Sequence, residues 1–250
     1  MPVPLRVGLS PDLVERREQL AALVPLLEAG IPGAYGSVFF ERKSSRSLWA
    51  NLKQTQMTEQ VSAGAVLRLF DGHTLYEQAT DQLAPAELLA TAERLVARVQ
   101  ASPRSSGPAR PYVPATWKAR LAEPLDPEIT SQIPPQVRAD SPVHFGIRYR
   151  QDPRAESPAA TFTRLRALVD RCRESATRHG LAESDLSYAL ARQTFAIEES
   201  IFVDRESNLS QSLFRTALTL MTMSGSDRTF RRMGGLGGLE ITDADRKAHV

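Results

Sequence analysis

The sequence predicts an α+β fold, with two helix-plus-antiparallel-meander units joined by a long irregular Pro-rich connector. Three observations carry this. Apolar residues recur at helical spacing in three stretches, each opened by a proline. Two blocks of short runs rich in Val, Phe, Leu, Trp and Thr read as strands, one after the first helical stretch and one after the third. Between the blocks, Pro, Ser, Ala and Arg dominate. The implied division is a first α+β domain at 1–100, a connector at 101–157, and a second unit at 158–250 that ends in a Gly-rich loop.

Ser10-Pro11-Asp12 supplies an N-cap, a first-position proline and an early acid, and Leu20, Leu23, Val24 and Leu27 follow at helical spacing. This predicts a helix from Pro11 to Ala29, kinked in its last turn by Pro25 and ended by Gly30 and Pro32. The runs YGSVFFERK, SLWANLKQTQ, VSAGAVLRLF and TLYEQAT, broken at Ser44-Ser45 and Asp71-Gly72, predict a meander. Pro85 opens a helix whose stripe of Leu88, Leu89, Ala92, Leu95, Val96 and Val99 should pack on that sheet. In the connector, PRSSGPARP and QIPPQVR discourage regular structure, and Tyr112, Trp117, Phe145 and Tyr149 are its anchors to the surface. Ser157-Pro158 opens the third helix, with Phe162, Leu165, Leu168, Val169, Cys172 and Ala176 facing inward and an end near Gly180. DLSYALARQTF, AIEESIFVD and LSQSLFRTALTLMTMS read as three strands. A turn at Gly225-Ser226-Asp227 then leads through RTFRRM to the glycines.

Bulk charge narrows the function classes. Thirty-one Lys and Arg stand against 29 Asp and Glu, a net charge of +2, so a polyanionic partner would need a local patch. One cysteine, Cys172, leaves no internal disulfide or Cys-based zinc site and points to a reducing compartment, the cytoplasm. No stretch approaches the ~20 apolar residues that span a bilayer, so no membrane association is expected.

RRMGGLGGLE, residues 231–240, suggests a phosphate cradle. A P-loop, however, places Lys and Ser or Thr after its last glycine, and a dinucleotide fingerprint sits between a parallel strand and a helix; neither pattern is present. The simpler reading is a turn that lets backbones approach closely. His73, His144, His179 and His249 lie far apart and form no HExxH or HExxxH helix, so no metal site is expected in this chain. His179 reads as a charge at a helix carboxyl end, and Cys172 as a buried core residue rather than a nucleophile. Unrelated enzyme chemistry would have to converge among His73, His144, Glu198, Glu199, Asp204 and the glycines, which no spacing requires. Arg228, Arg231 and Arg232, with Arg246 and Lys247, form a basic segment without an aromatic stacking face, favouring a protein or peptide contact over nucleic acid.

The stretch from YGSVFFERK through AERLV resembles the amino-terminal domain of the TldD/PmbA family, with Gly64, Arg68, Gly72, Asp81 and Leu83 at the expected places. Val66 replaces a second glycine, and Tyr76 a further one. The helix at 158–180, AIEESIFVDRES, LFRTALTLMTMS and RRMGGLGGLE are similar to the family's middle portion, with Asp204-Arg205 in place of a frequent Asp-Gly. The resemblance covers most of residues 12–240 outside the connector.

It implies a metallopeptidase relative whose HExxxH helix lies in a carboxyl-terminal half beyond the Gly-rich segment. No residue here inherits a catalytic or metal-ligand role, and no cofactor is expected in this chain; zinc would belong to a partner or to a missing carboxyl-terminal half. Family members work as paired subunits enclosing a cavity for unfolded peptide. The leading expectation is therefore a non-catalytic subunit or half-protein, not active alone, that joins a metal-bearing TldD-type partner or forms a homo-oligomer. Arg68, Arg231, Arg232, Gly234, Gly235, Gly237 and Gly238 are its expected partner or peptide contacts. Alternatives are a stand-alone binding or regulatory protein, and an amino-terminal fragment of a full-length metallopeptidase.

Overall fold

The computed structural model describes residues 6–7, 11–102, 143–149, 151–152, 154–182 and 185–242. Most of the predicted connector, including Tyr112 and Trp117, lies outside them, as do Arg246, Lys247 and His249. The described elements are β1 (Arg6–Val7), α1 (Pro11–Ala21), α2 (Leu23–Glu28), β2 (Tyr35–Asn51), β3 (Thr55–Phe70), β4 (Leu75–Thr80), α3 (Pro85–Ala101), β5 (Val143–Gly146), β6 (Arg148–Tyr149), α4 (Pro158–Arg178), β7 (Leu186–Asp204), β8 (Asn208–Ser224) and β9 (Asp227–Leu236), with a closing 3-10 turn at Leu239–Thr242. The α+β class is as expected. Among the described residues, seven strands form one sheet in the order β4-β3-β2-β7-β8-β5, with β9 continuing along the outer edge of β8. All its ladders are antiparallel except the short β5–β8 pairing. The two predicted meanders share this sheet because β2 pairs with β7, from Ser37 opposite Asp204 to Asn51 opposite Leu190.

Several boundaries differ from expectation for identifiable reasons. The first helix breaks at Ala22, three residues before Pro25: proline has no N–H for the Ala21 carbonyl, and its ring crowds that position. Ser44-Ser45 does not interrupt β2, and Phe195-Ala196 does not interrupt β7. The β2–β3 hairpin turns instead at 52–54, where Asn51 Oδ1 accepts hydrogen bonds from the Lys53 and Gln54 amides, 2.8 Å each. Asp71 does the same for the β3–β4 turn through the His73 and Thr74 amides.

The described helices all cover one face. α1, α2 and α3 close a core in which Leu20, Leu27, Leu88 and Leu95 meet Val38, Phe40, Leu67, Ile201 and Val203. α4 closes a second, with Leu165 and Val169 on Leu48, Ala50, Ala189, Ala191 and Leu218. Between them lies a polar band: Arg42 reaches buried Glu199 (Nε–Oε2 2.6 Å) and Asp12 (3.3 Å), and Arg46 pairs with Glu59 (2.8 Å) while its guanidinium lies 5.2 Å from the centre of the Phe195 ring. A third small cluster packs Tyr149 on Phe214, with Arg154 over that ring and bonded to Asp152 (2.6 Å).

Two predictions follow from this packing. A Cβ on Gly234 would collide with the Thr216 carbonyl oxygen and lie 2.7 Å from the Ala217 Cα, both backbone positions that cannot step aside. Gly234→Ala is expected to destabilise by about 2 kcal/mol or more in urea denaturation. Burial pushes the Asp152 carboxyl up, but Arg154 and the Tyr149 hydroxyl outweigh it and hold the carboxyl below its ordinary value of 3.8. Its stabilising effect is therefore complete above the unfolded pKa and is lost as pH falls through the lower folded value. Asp152→Asn should cost roughly 1 kcal/mol near neutrality, discounted for the partly exposed Arg154. In chemical denaturation at a series of pH values, that gap should close below about pH 4.

Candidate functional site

Strand alternation places every second residue of β2, β7, β8 and β9 on the face opposite the helices. Among the described residues no helix covers it. Register fixes its composition: Ser45 lies opposite Ala196, Ser47 opposite Thr194, Trp49 opposite Arg192, Arg192 opposite Thr219, and Thr219 opposite Arg232. Two adjoining hollows of 690 and 570 Å³ open here and share Ser45, Ser47, Arg192, Thr194 and Arg232 in their walls. They form one trough running across the strands, walled by hydroxyls, arginines and the Gln60 amide together with apolar side chains such as Leu190, Met221 and Leu236, and among the described residues no carboxylate lines either part. Arg192 Nε donates to Ser47 Oγ at 2.8 Å, so its guanidinium is held by a neutral partner. Phe230 stands at one end of the trough, 61% exposed, and Trp49 toward the other.

The structure separates most of the contacts expected from sequence. Arg231 and Arg232 are neighbours in β9 and so point to opposite faces: Arg232 enters the trough, whereas Arg231 lies opposite Leu220 on the helix side. Arg68 also faces away from the helices, but it is paired with Glu77 (2.6 Å) and sits twelve residues along the strand direction from Arg192, about 40 Å away. Gly234 and Gly235 are strand residues of β9 rather than loop residues, and both line the trough. Chain exit begins at Gly237, where φ is 139°; its amide donates to Phe214 O (2.9 Å) and its carbonyl accepts from Thr216 Oγ1 (2.9 Å). Gly238 follows it and is buried. Arg192 and Trp49 were missed from sequence; only the β2–β7 register, which is non-local, brings them to Arg232.

The other residues considered from sequence do not converge. Glu198 and Glu199 alternate to opposite faces, Asp204 accepts from the buried Tyr35 hydroxyl (2.7 Å) and caps the β7–β8 turn, and His144 Nδ1 lies 2.9 Å from Ser210 Oγ. His179 caps α4, with Nδ1 2.8 Å from the Ser175 carbonyl. Cys172 is half-buried rather than fully buried, and burial pushes its thiol up. Zinc, which the family resemblance brings to mind, does not fit the described residues: no three His, Cys, Asp or Glu side chains meet.

With this geometry in view, the chain is similar to a solved structure of a proposed modulator of DNA gyrase from Bacteroides thetaiotaomicron, with a TM-score of 0.50 at 11% identity over 91% of this chain and 46% of that one. The likeness is one of fold. It agrees at that level with the TldD/PmbA resemblance. A proposed modulator of a DNA gyrase from Thermotoga maritima (TM-score 0.46, 12% identity, 89% of this chain and 42% of that one) and TldE from Thermococcus kodakarensis (0.45, 12%, 86% and 42%) are also similar. The chain thus spans less than half the length of these structures. No family model matches the sequence, and no curated protein matches it. No described helix is long and apolar enough to cross a membrane.

Because Arg192 and Arg232 contact no carboxylate among the described residues, they contribute little to folding. Their individual alanine variants should keep stability within about 0.5 kcal/mol of the parent by thermal denaturation.

Proposed function

We propose that this chain is a non-catalytic, TldD/PmbA-like module of the cytoplasm that presents the open face of its sheet to an extended polypeptide. A second polypeptide supplies the metal chemistry of a peptide-processing assembly. The observation that carries the reading is the long sheet whose described helices all pack on one face, with a 690 Å³ hollow and its 570 Å³ neighbour recessed into the other. Ser47, Thr194 and Thr219 offer hydroxyls to a peptide backbone there, and no nucleophile, general base or ligand set accompanies them among the described residues. The likeness of fold to the Bacteroides structure supports the choice of family.

Two measurements test this. The purified chain should leave unfolded casein peptides intact by mass spectrometry, with or without added zinc; chelator-sensitive cleavage by the chain alone would refute the non-catalytic role. Native mass spectrometry after co-expression should show a stoichiometric complex with an HExxxH protein. A lone monomer or homodimer would instead favour a stand-alone binding protein.

A further inference from the structure

We infer that the trough selects acidic segments, so that the extended polypeptide it takes is rich in Asp and Glu; this rests on the peptide-binding role proposed above. The chain as a whole carries a net charge of only +2, so the concentration of cations here is local. Arg192, Arg215, Arg228 and Arg232 all face the open side, and among the described residues the one ion pair any of them makes is Arg215 with Glu198, at 3.6 Å. Three arginines of the inner strands are matched, Arg42 with Glu199, Arg46 with Glu59 and Arg68 with Glu77. Arg228 and Arg232 lie on β9 and alone would serve to shield its edge from pairing with other chains. Arg192 lies on β7, paired on both sides, where edge protection needs no charge.

Geometry selects the kind of anion. Arg192 and Arg232 occupy one cross-strand row with Thr219 between them, about 10 Å apart at the backbone. Same-side residues of an extended peptide repeat at roughly 7 Å, a spacing the long arginine arms accommodate while each guanidinium takes a carboxylate through two parallel N–H donors. Single-stranded nucleic acid fits less well. Trp49 and Phe230 stand three strands apart, about 14 Å, too far for successive bases to stack without a gap.

The test is fluorescence anisotropy on the full chain with a labelled Glu/Ala peptide of about twelve residues, its Gln/Ala counterpart, and an oligothymidylate of similar length. The acidic peptide should bind at least about tenfold more tightly than the amide one at low salt, and the advantage should shrink as ionic strength rises. Arg192→Gln combined with Arg232→Gln should remove that advantage with the melting temperature unchanged, whereas Arg166→Gln, on α4 across the sheet, should preserve it. Equal binding of the two peptides would overturn acid selection while leaving the peptide-binding role standing. Binding of neither would overturn both. Tighter binding of the oligothymidylate, or an acidic preference that survives the double substitution, would also overturn the inference.

Discussion

The antiparallel pairing of β2 with β7 is the constraint on which the rest of the molecule depends. Each strand is long enough to serve two cores. Val38 and Phe40 of β2 meet Ile201 and Val203 of β7 beneath α1 to α3, while Leu48 and Ala50 meet Ala189 and Ala191 beneath α4. A shift of one residue would turn every one of these side chains to the open face, so both cores enforce the same register. The polar band between them adds to this. Glu199 is only 4% exposed and would be costly without a partner, and Arg42 stands directly opposite it only in the observed register.

The helices were legible because their signals are local: a proline at or near the first turn, then an apolar stripe with the helical period. Pairing across the sheet is not local, and the sequence misled where a local signal had a tertiary cause. Ser44-Ser45 suggested a turn because two small polar residues sit mid-strand; they occupy the gap between the helix groups, where β2 carries no core load. Asn51, whose side chain in fact builds the hairpin turn, lay hidden in a run that looked continuously strand-like. Pro25 was recognised as a disruption, but its effect falls one turn earlier in the chain, at the carbonyl it cannot bond.

The site was legible only in part, for the same reason. Two adjacent arginines look like a pair in sequence, yet a strand divides them between its faces, so Arg232 acts with Arg192, forty residues earlier, and not with Arg231. The local sequence shows one aromatic among the arginines, Phe230, and no stacking face. Register supplies Trp49 from β2, and alternation turns Phe230 to the same side as Arg232.

The glycines take their meaning from that register as well. Gly234 lies opposite Ala217, which lies opposite Thr194 and then Ser47, so the open-face row beside the arginines holds only small residues and steps down in size from Thr194 to the β9 edge. In the next row Ala196 lies opposite Ser45. Where long side chains on neighbouring rows stand up and the residues between them are small, a nearly flat sheet acquires a depression. Backbone packing at Gly234 excludes even a methyl group, so the low wall is enforced by the fold itself. A sequence string that looks like a phosphate cradle thus contributes by what it lacks: the glycines shape the trough, and the cations on the adjoining rows give it its charge.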